Sequence, residues 1–230
     1  MDETATWDEL NDKEFSRGTM EKILPHRFAP EDGIDRLSLP GLLPDWILTG
    51  LCKKGMVEPF VDHQVTVDES GNKVISYGLS SYGIDLRLGN KFKIFNNVNA
   101  GIIDVKNSSV EHVIDREGDT CIIPPNSYML GCTVERFKLP RDITMLIIGK
   151  STFARAGVIV NCTPGEAGWE GYLTLEFSNA TSLPVKVYSG EGCCQALFFR
   201  GAAPCVTSYA DRAGKYQNQS AVPVLPRLKN

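Results

Sequence analysis

The sequence predicts a mainly β protein, an all-β sandwich or barrel with a few short helices. Between residues 83 and 200, short apolar runs rich in β-branched residues follow one another, and turn-forming residues separate them. Short strands at this spacing are typical of all-β domains. The 230 residues are 42% hydrophobic and 23% charged, which suits one globular domain with a substantial core.

The periodicity of the chain predicts its elements in order. Apolar residues on one face predict a short helix over 45–56, and a β-branched segment with a turn at 70–72 follows it. The strands predicted after this segment cover residues 83–88, 91–95, 121–123, 128–136, 144–149, 158–162, 172–177, 184–188 and 195–200.

The chain divides into three predicted segments. Residues 1–43 are polar and are interrupted by Pro and Gly, so we expect an N-terminal extension that is partly ordered. Residues 44–208 form the predicted β domain. Residues 209–230 are polar, contain two prolines and lack apolar periodicity, which predicts a C-terminal tail that contributes little to the core.

Charge and cysteine content favour some classes of protein and oppose others. The net charge is −4 and no basic run exceeds two residues, so we expect no nucleic-acid partner. No apolar run approaches the length of a membrane span, and the acidic N-terminus does not resemble a signal peptide. Seven scattered cysteines do not form a disulfide framework, which predicts reduced thiols and a cytoplasmic location.

Residues 149–179 carry the most chemical information. Ser151 and Thr152 stand at the start of a predicted short helix, where hydroxyl groups commonly cap free backbone N–H groups. Arg155 lies four residues after Ser151 and therefore shares its face of the helix. Together with Lys150, these groups predict an anion site suited to phosphate.

The strand predicted over 172–177 alternates strictly. Leu173, Leu175 and Phe177 point to one face, and the polar residues point to the other. Glu176 is the only carboxylate on that polar face, so it is either a solvated surface group or a functional acid and base.

Four motifs resemble those of the dCTP deaminases, which belong to the trimeric dUTPase superfamily. They are GKSTFAR (149–155), TLEFSN (174–179), SSYGIDLRLGNKF (80–92) and SYADRAGKYQNQ (208–219), and the resemblance extends from residue 44 to the C-terminus. It implies a distorted, jelly-roll-like β-barrel of the dUTPase type. It also implies a homotrimer with active sites between subunits, and hydrolysis of dCTP to dUTP and ammonia.

The resemblance also implies roles for individual residues. Glu176, Ser151 and Arg155 take the catalytic positions, and a tail from residue 209 closes over the site. The implied nucleotide-binding positions are Lys150, Ser151, Thr152, Phe153, Ala154, Arg155, Thr174, Leu175, Glu176, Gln195, Tyr209, Lys215 and Gln219. Magnesium is expected to arrive on the triphosphate of dCTP or dUTP, and dTTP is a candidate inhibitor.

The zinc-deaminase signature, H-x-E with P-C-x-x-C, is absent from the sequence. None of His26, His63 and His112 is followed by Glu two residues later, and Pro204-Cys205 lacks the second cysteine. We therefore expect a deaminase that uses no zinc.

The sequence alone leaves two functional alternatives open and suggests a structural role for Asp85. Glu166 stands where the loop of dUTPases carries a water-activating aspartate, which keeps a bifunctional dCTP deaminase and dUTP diphosphatase possible. A non-catalytic nucleotide-sensing protein on the same scaffold is the second alternative. Asp85 is expected to be structural, paired with Arg87 near a subunit junction.

Overall fold

The computed structural model describes residues 40–96, 102–106, 113–161 and 163–226. Within them the protein is mainly β, as predicted. The elements are β1 (Gly41–Leu42), α1 (Asp45–Cys52), β2 (Val57–Glu58), β3 (Gln64–Val67), β4 (Lys73–Ser80), β5 (Gly83–Phe95), β6 (Val113–Glu117), β7 (Thr120–Ile123), β8 (Tyr128–Lys138), β9 (Ile143–Gly149), α2 (Ser151–Arg155), β10 (Val158–Asn161), β11 (Glu170–Asn179), β12 (Val185–Tyr188) and β13 (Gly192–Arg200).

A single curled sheet holds most of these strands. Its main path runs β1-β13-β5-β8-β11-β10, and β7 pairs with β12 in a separate two-stranded sheet. The 13-residue strand β5 joins the two halves of the curl, because its first part pairs with β13 and its second part with β8. Strand β10 pairs with β11, and β9, which precedes α2 in the chain, pairs with β13.

Alternation along the strands builds the core. On β11, Leu173, Leu175 and Phe177 are buried, and the residues between them are half-buried on the outer face. Phe177 packs against Phe153 of α2 with 6.1 Å between ring centroids, so the same apolar layer fixes the short helix and the strand. Each such side chain contributes about 1.5–3 kcal/mol on burial.

A buried ion pair crosses between the two halves of the curl. The Arg87 Nε donates to the Glu135 carboxylate at 2.7 Å, and the Arg87 backbone N–H donates to the other carboxylate oxygen at 3.0 Å. Burial raises the pKa of Glu135, and the Arg87 charge opposes that rise. The expected pairing of Arg87 with Asp85 is wrong, because Asp85 instead accepts a hydrogen bond from Lys150.

The ends of the β domain differ in part from the predicted segments. Residues 1–39 of the predicted extension lie outside the described residues. Residues 41–43, which were assigned to that extension, belong with the β domain, because β1 pairs with β13 and Leu43 is buried.

The tail, residues 209–226, packs onto the chain between residues 166 and 174. Tyr209 lies against the hydrophobic core, and the indole N–H of Trp169 donates to the Tyr216 carbonyl at 3.0 Å. The Gln219 carbonyl accepts from the Tyr172 N–H at 2.9 Å. Gly171 permits this approach, since a Cβ there would lie 2.7 Å from the Gln219 nitrogen. Isolated aromatic contacts and backbone hydrogen bonds therefore hold the tail. The sequence did not predict them, because such contacts leave no apolar periodicity.

Candidate active site

The first part of the candidate site is the start of α2. Ser151, Thr152 and Arg155 are exposed, whereas Phe153 is buried beneath them. The predicted helix therefore exists and presents its hydroxyls and its arginine outward. Because the Phe153 side chain lies in the core, any contact of this residue with a ligand is made by its backbone.

Lys150, at the N-cap of α2, is held by a largely buried carboxylate. Its ammonium donates to Asp85, and only 14% and 9% of the two side chains are exposed. Gln195 pairs with Asp85 across β13 and β5, and its amide donates to the Ser80 hydroxyl at 3.0 Å. We call Asp85, Lys150, Ser151, Arg155 and Gln195 the α2 cluster. Its lysine is already neutralised by Asp85, so Arg155 is the exposed cation of the helix.

The second part of the candidate site is the outer face of β11. Glu176 is half-buried there, and desolvation raises the pKa of its carboxyl group. Within the described residues, no hydrogen bond to the Glu176 carboxylate is found. The hydroxyl of Thr174, two residues earlier on the same face, accepts from the Gln219 amide at 2.6 Å and from the Val224 N–H at 3.2 Å. We call Thr174, Glu176 and Gln219 the β11 cluster, and it contains a residue of the tail.

Leu175 differs from its neighbours in this strand. Its side chain is 0% exposed and points into the core, so of the predicted nucleotide-binding residues on β11, Thr174 and Glu176 present side chains outward.

The register of β10 places Arg155 and Glu176 toward its opposite ends. Val158, three residues after Arg155, pairs with Asn179, whereas Glu176 pairs with Asn161 at the other end of the strand. Three residues of strand span about 10 Å. In one chain Arg155 and Glu176 therefore lie toward opposite ends of β10.

The remaining predicted residues are Tyr209 and Lys215 in the tail and Glu166 in the loop before β11. The Tyr209 phenol oxygen accepts from the Tyr216 N–H at 3.0 Å, and the Lys215 ammonium lies 5.0 Å from the Tyr216 ring centroid. Glu166, the candidate water-activating residue, forms an ion pair with Arg212, which also lies over the Tyr209 ring. The loop around Glu166 is thus bound to the tail through its carboxylate.

The described part of the chain brings no three His, Cys, Asp or Glu side chains together as a metal site. His63 is bonded to the neighbouring Asp62, and His26 and His112 lie outside the described residues. Among the described helices, none is long and apolar enough to cross a membrane.

Asn161 is a polar residue of this region that the sequence reasoning missed. It is exposed at the end of β10, directly opposite Glu176. The strand itself was predicted, but the pairing that places Asn161 beside the carboxylate is a matter of register, which periodicity does not reveal.

Comparison with known proteins gives a consistent result. The family model described as dCTP deaminase-like matches residues 51–201. The chain is 56% identical over 182 residues to a dCTP deaminase of Anaplasma phagocytophilum, covering 79% of this chain and 96% of the relative. It is 54% identical over 188 residues to a dCTP deaminase of Paramagnetospirillum magneticum, covering 81% and 99%.

A solved structure shows the fold. The crystal structure of 2'-deoxycytidine 5'-triphosphate deaminase from Agrobacterium tumefaciens superimposes with a TM-score of 0.51 at 20% identity, covering 70% of this chain and 48% of that chain. The family match and the identities over most of the chain decide the relationship: the protein belongs to the dCTP deaminase family.

Proposed function

We propose that the protein hydrolyses dCTP to dUTP and ammonia. The observation that carries the proposal is Glu176, a half-buried carboxylate with a raised pKa on the outer face of the signature strand. The curated names of the relatives support it, since members at 54–56% identity are dCTP deaminases.

The reaction needs one group that can accept and return protons. Glu176 takes a proton from water as the water oxygen bonds to C4 of cytosine, and it delivers that proton to N3. It then passes a proton from the new hydroxyl to the amine, the C4–N bond breaks, and ammonia leaves as the C4 carbonyl forms. A carboxylate with a pKa nearer to neutral performs both directions of transfer better than one at its ordinary value.

The α2 cluster and the tail bind and orient the nucleotide in this proposal. Arg155 binds phosphate oxygens, Ser151 lies beside the base, and Lys215 and Tyr209 contact the nucleotide from the tail. Magnesium enters as part of the substrate, bound to the triphosphate, and dTTP competes as an inhibitor. Six described cysteines are free thiols, which supports a reducing cytoplasm as the location.

We also propose a homotrimer with active sites between subunits. In one chain Arg155 and Glu176 lie toward opposite ends of β10, and the family resemblance implies that a site combines these two residues from neighbouring chains. Leu146 and Ile148 are 41% and 43% exposed on the outer face of β9, next to the α2 cluster. An apolar pair at this position is what a subunit contact would cover.

The function is tested by incubating the protein with dCTP and magnesium and resolving dCTP, dUTP and dUMP by chromatography. We expect dUTP to accumulate with one ammonia per turnover and no dUMP, because Glu166 is occupied by Arg212. Release of dUMP would support the bifunctional alternative, and binding of dCTP without turnover would support the sensing protein.

Mixing two inactive variants tests the inter-subunit site. Co-expressed Glu176→Gln and Arg155→Ala chains should recover about a quarter of wild-type activity, because random trimers contain that share of sites with both residues intact. Each variant alone should stay inactive, and the double variant co-expressed with Glu176→Gln is the matched control. Failure of the mixed protein to exceed its two parents would mean that one chain forms the whole site.

Zinc chelation is expected to leave the activity unchanged. The sequence lacks the zinc-deaminase signature, and no three-ligand cluster occurs in the described residues. The measurement is turnover after exhaustive chelation with free magnesium held constant, together with the metal content. A parallel loss of zinc and activity that zinc alone restores would refute the prediction.

A further inference from the structure

A row of side chains crosses the outer face of the sheet through Glu176. The register pairs Asn161 on β10 with Glu176, Glu176 with Leu130 on β8, and Leu130 with Lys93 on β5. Residues directly opposite each other on neighbouring strands point to the same face, with Cβ atoms about 4.5–5.5 Å apart. Asn161 and Leu130 are therefore the two side chains that flank the carboxylate across the strands.

Of these two neighbours, only Asn161 can form a hydrogen bond. Leu130 is apolar and buried, and Thr174, on the same face of β11, already accepts two hydrogen bonds from the tail. Among the described residues, neither the Glu176 carboxylate nor the Asn161 carboxamide has a hydrogen-bond partner. Two complementary groups thus face each other on adjacent strands.

We propose that Asn161 is a positioning residue for the deamination. Its carboxamide donates a hydrogen bond to one oxygen of the Glu176 carboxylate as the nucleotide closes the site, which leaves the other oxygen to exchange protons with water and the base. This inference rests on the proposed function for its chemistry, but the pairing of the two residues rests on the register alone.

No unpaired charge lies directly beside Glu176 in the described part of the sheet, so Asn161 is the neighbour that can change the pKa of its carboxyl group. Lys93 lies two strands away and is neutralised by Asp115 of β6, and Lys91 lies one row further beside Cys132. Burial raises the pKa of Glu176, and a hydrogen bond donated to the ionised form lowers it. Asn161 therefore keeps the carboxylate ionised at the moment when it must accept a proton from water.

The test compares the pH dependence of kcat for the wild type, Asn161→Leu and Asn161→Asp. Leucine keeps the shape and removes the donor, and aspartate also adds a like charge. Loss of the donor raises the Glu176 pKa, so the acidic limb of kcat should move to higher pH, by about one unit in Asn161→Asp and less in Asn161→Leu. On the acidic limb kcat should fall about tenfold in Asn161→Asp and less in Asn161→Leu, with KM little changed.

Ile159→Asp is the matched control. Ile159 is exposed on the same face of β10, but it pairs with Ser178 and is diagonal to Glu176. The same charge placed there should move the acidic limb clearly less than Asn161→Asp does. An equal shift, an unmoved limb in both Asn161 variants, or a rise in KM alone would overturn the positioning role.

A second measurement does not depend on the reaction. Carbon-13 NMR of the Glu176 carboxyl, assigned by its loss in Glu176→Gln, follows its titration in the folded protein without nucleotide. We expect a higher pKa in Asn161→Asp than in the wild type or in Ile159→Asp, and an unchanged pKa would refute the pairing. Absence of dCTP turnover in the wild type would instead refute the proposed function and leave the NMR result to judge the geometry.

Discussion

Replacement of Glu176 by glutamine should leave the protein folded and able to bind dCTP, but reduce deamination by about 10⁴-fold or more. A general acid and base contributes about 10²–10⁴-fold to a single proton transfer, and Glu176 serves every transfer in the proposed reaction. Glutamine has nearly the same shape, so the buried part of β11 is not disturbed. The measurement is kcat and KM at neutral pH, with dCTP affinity determined by calorimetry.

Glu117→Gln is the control for this variant. Glu117 is exposed at the end of β6, on a strand that pairs with β5, and its loss removes one carboxylate without touching the β11 cluster. We expect near-wild-type turnover from it. Retention of full activity by Glu176→Gln would remove the carboxylate from the mechanism and, with it, the main support for the proposed chemistry.

The sequence predicted the β architecture well because alternation is a local property. Strand β11 shows this over residues 172–177, where each residue predicted to face the core is buried and each polar residue lies on the outer face. Strand β6 (Val113–Glu117) was missed because its sequence, VIDRE, is charged and because, among the described strands, it pairs only with β5. A strand of this kind is held by its neighbour's backbone and leaves little apolar pattern to detect.

Two predicted strands proved to be one. The sequence was divided at Gly89-Asn90, which resembles a turn, but β5 continues from residue 83 to 95. Its register shifts between Leu88 and Phe92 as it passes from one half of the curl to the other. A strand that changes its pairing partner at its middle also changes which of its residues face the core. The alternation of apolar and polar residues is therefore interrupted there, and the sequence resembles two strands.

The sequence predicted which residues form the candidate site, but it did not predict most of the contacts between them. The α2 turn and Glu176 follow from local spacing and from the family resemblance. The pairing of Lys150 with Asp85, the bond from Gln219 to Thr174 and the position of Asn161 beside Glu176 join residues 15 to 65 positions apart. Such contacts depend on register and topology, which a single sequence does not determine.

Removal of the tail is the second change for which we expect a large loss of activity. Ending the chain at Ser208 removes Tyr209, Lys215 and Gln219, and should reduce turnover about 100-fold or more while the strands remain folded. We expect the main sheet to survive this loss, because all of its strands lie between residues 41 and 200. We expect the site to depend on the tail, since the hydroxyl of Thr174 loses its two hydrogen bonds from the tail and the face beside Glu176 opens to water.

Ending the chain after Gln219 separates the parts of the tail. This longer variant keeps Tyr209, Lys215 and the Gln219 contacts but loses the Val224 bond to Thr174, so it should retain most of the activity. Turnover, circular dichroism and tryptophan fluorescence are compared in both variants. Trp169, 5% exposed beneath the tail, should shift to the red only in the chain that ends at Ser208.

Hydrogen bonds with Trp169, Tyr172 and Thr174 hold the tail against the β domain. We therefore expect slow proteolysis of residues 209–226 in the free protein and still slower cleavage with saturating dCTP, because Lys215 and Tyr209 gain phosphate and sugar contacts. Full turnover by the chain that ends at Ser208 would show that the tail is only structural. Identical cleavage rates with and without nucleotide would show that it does not bind the substrate.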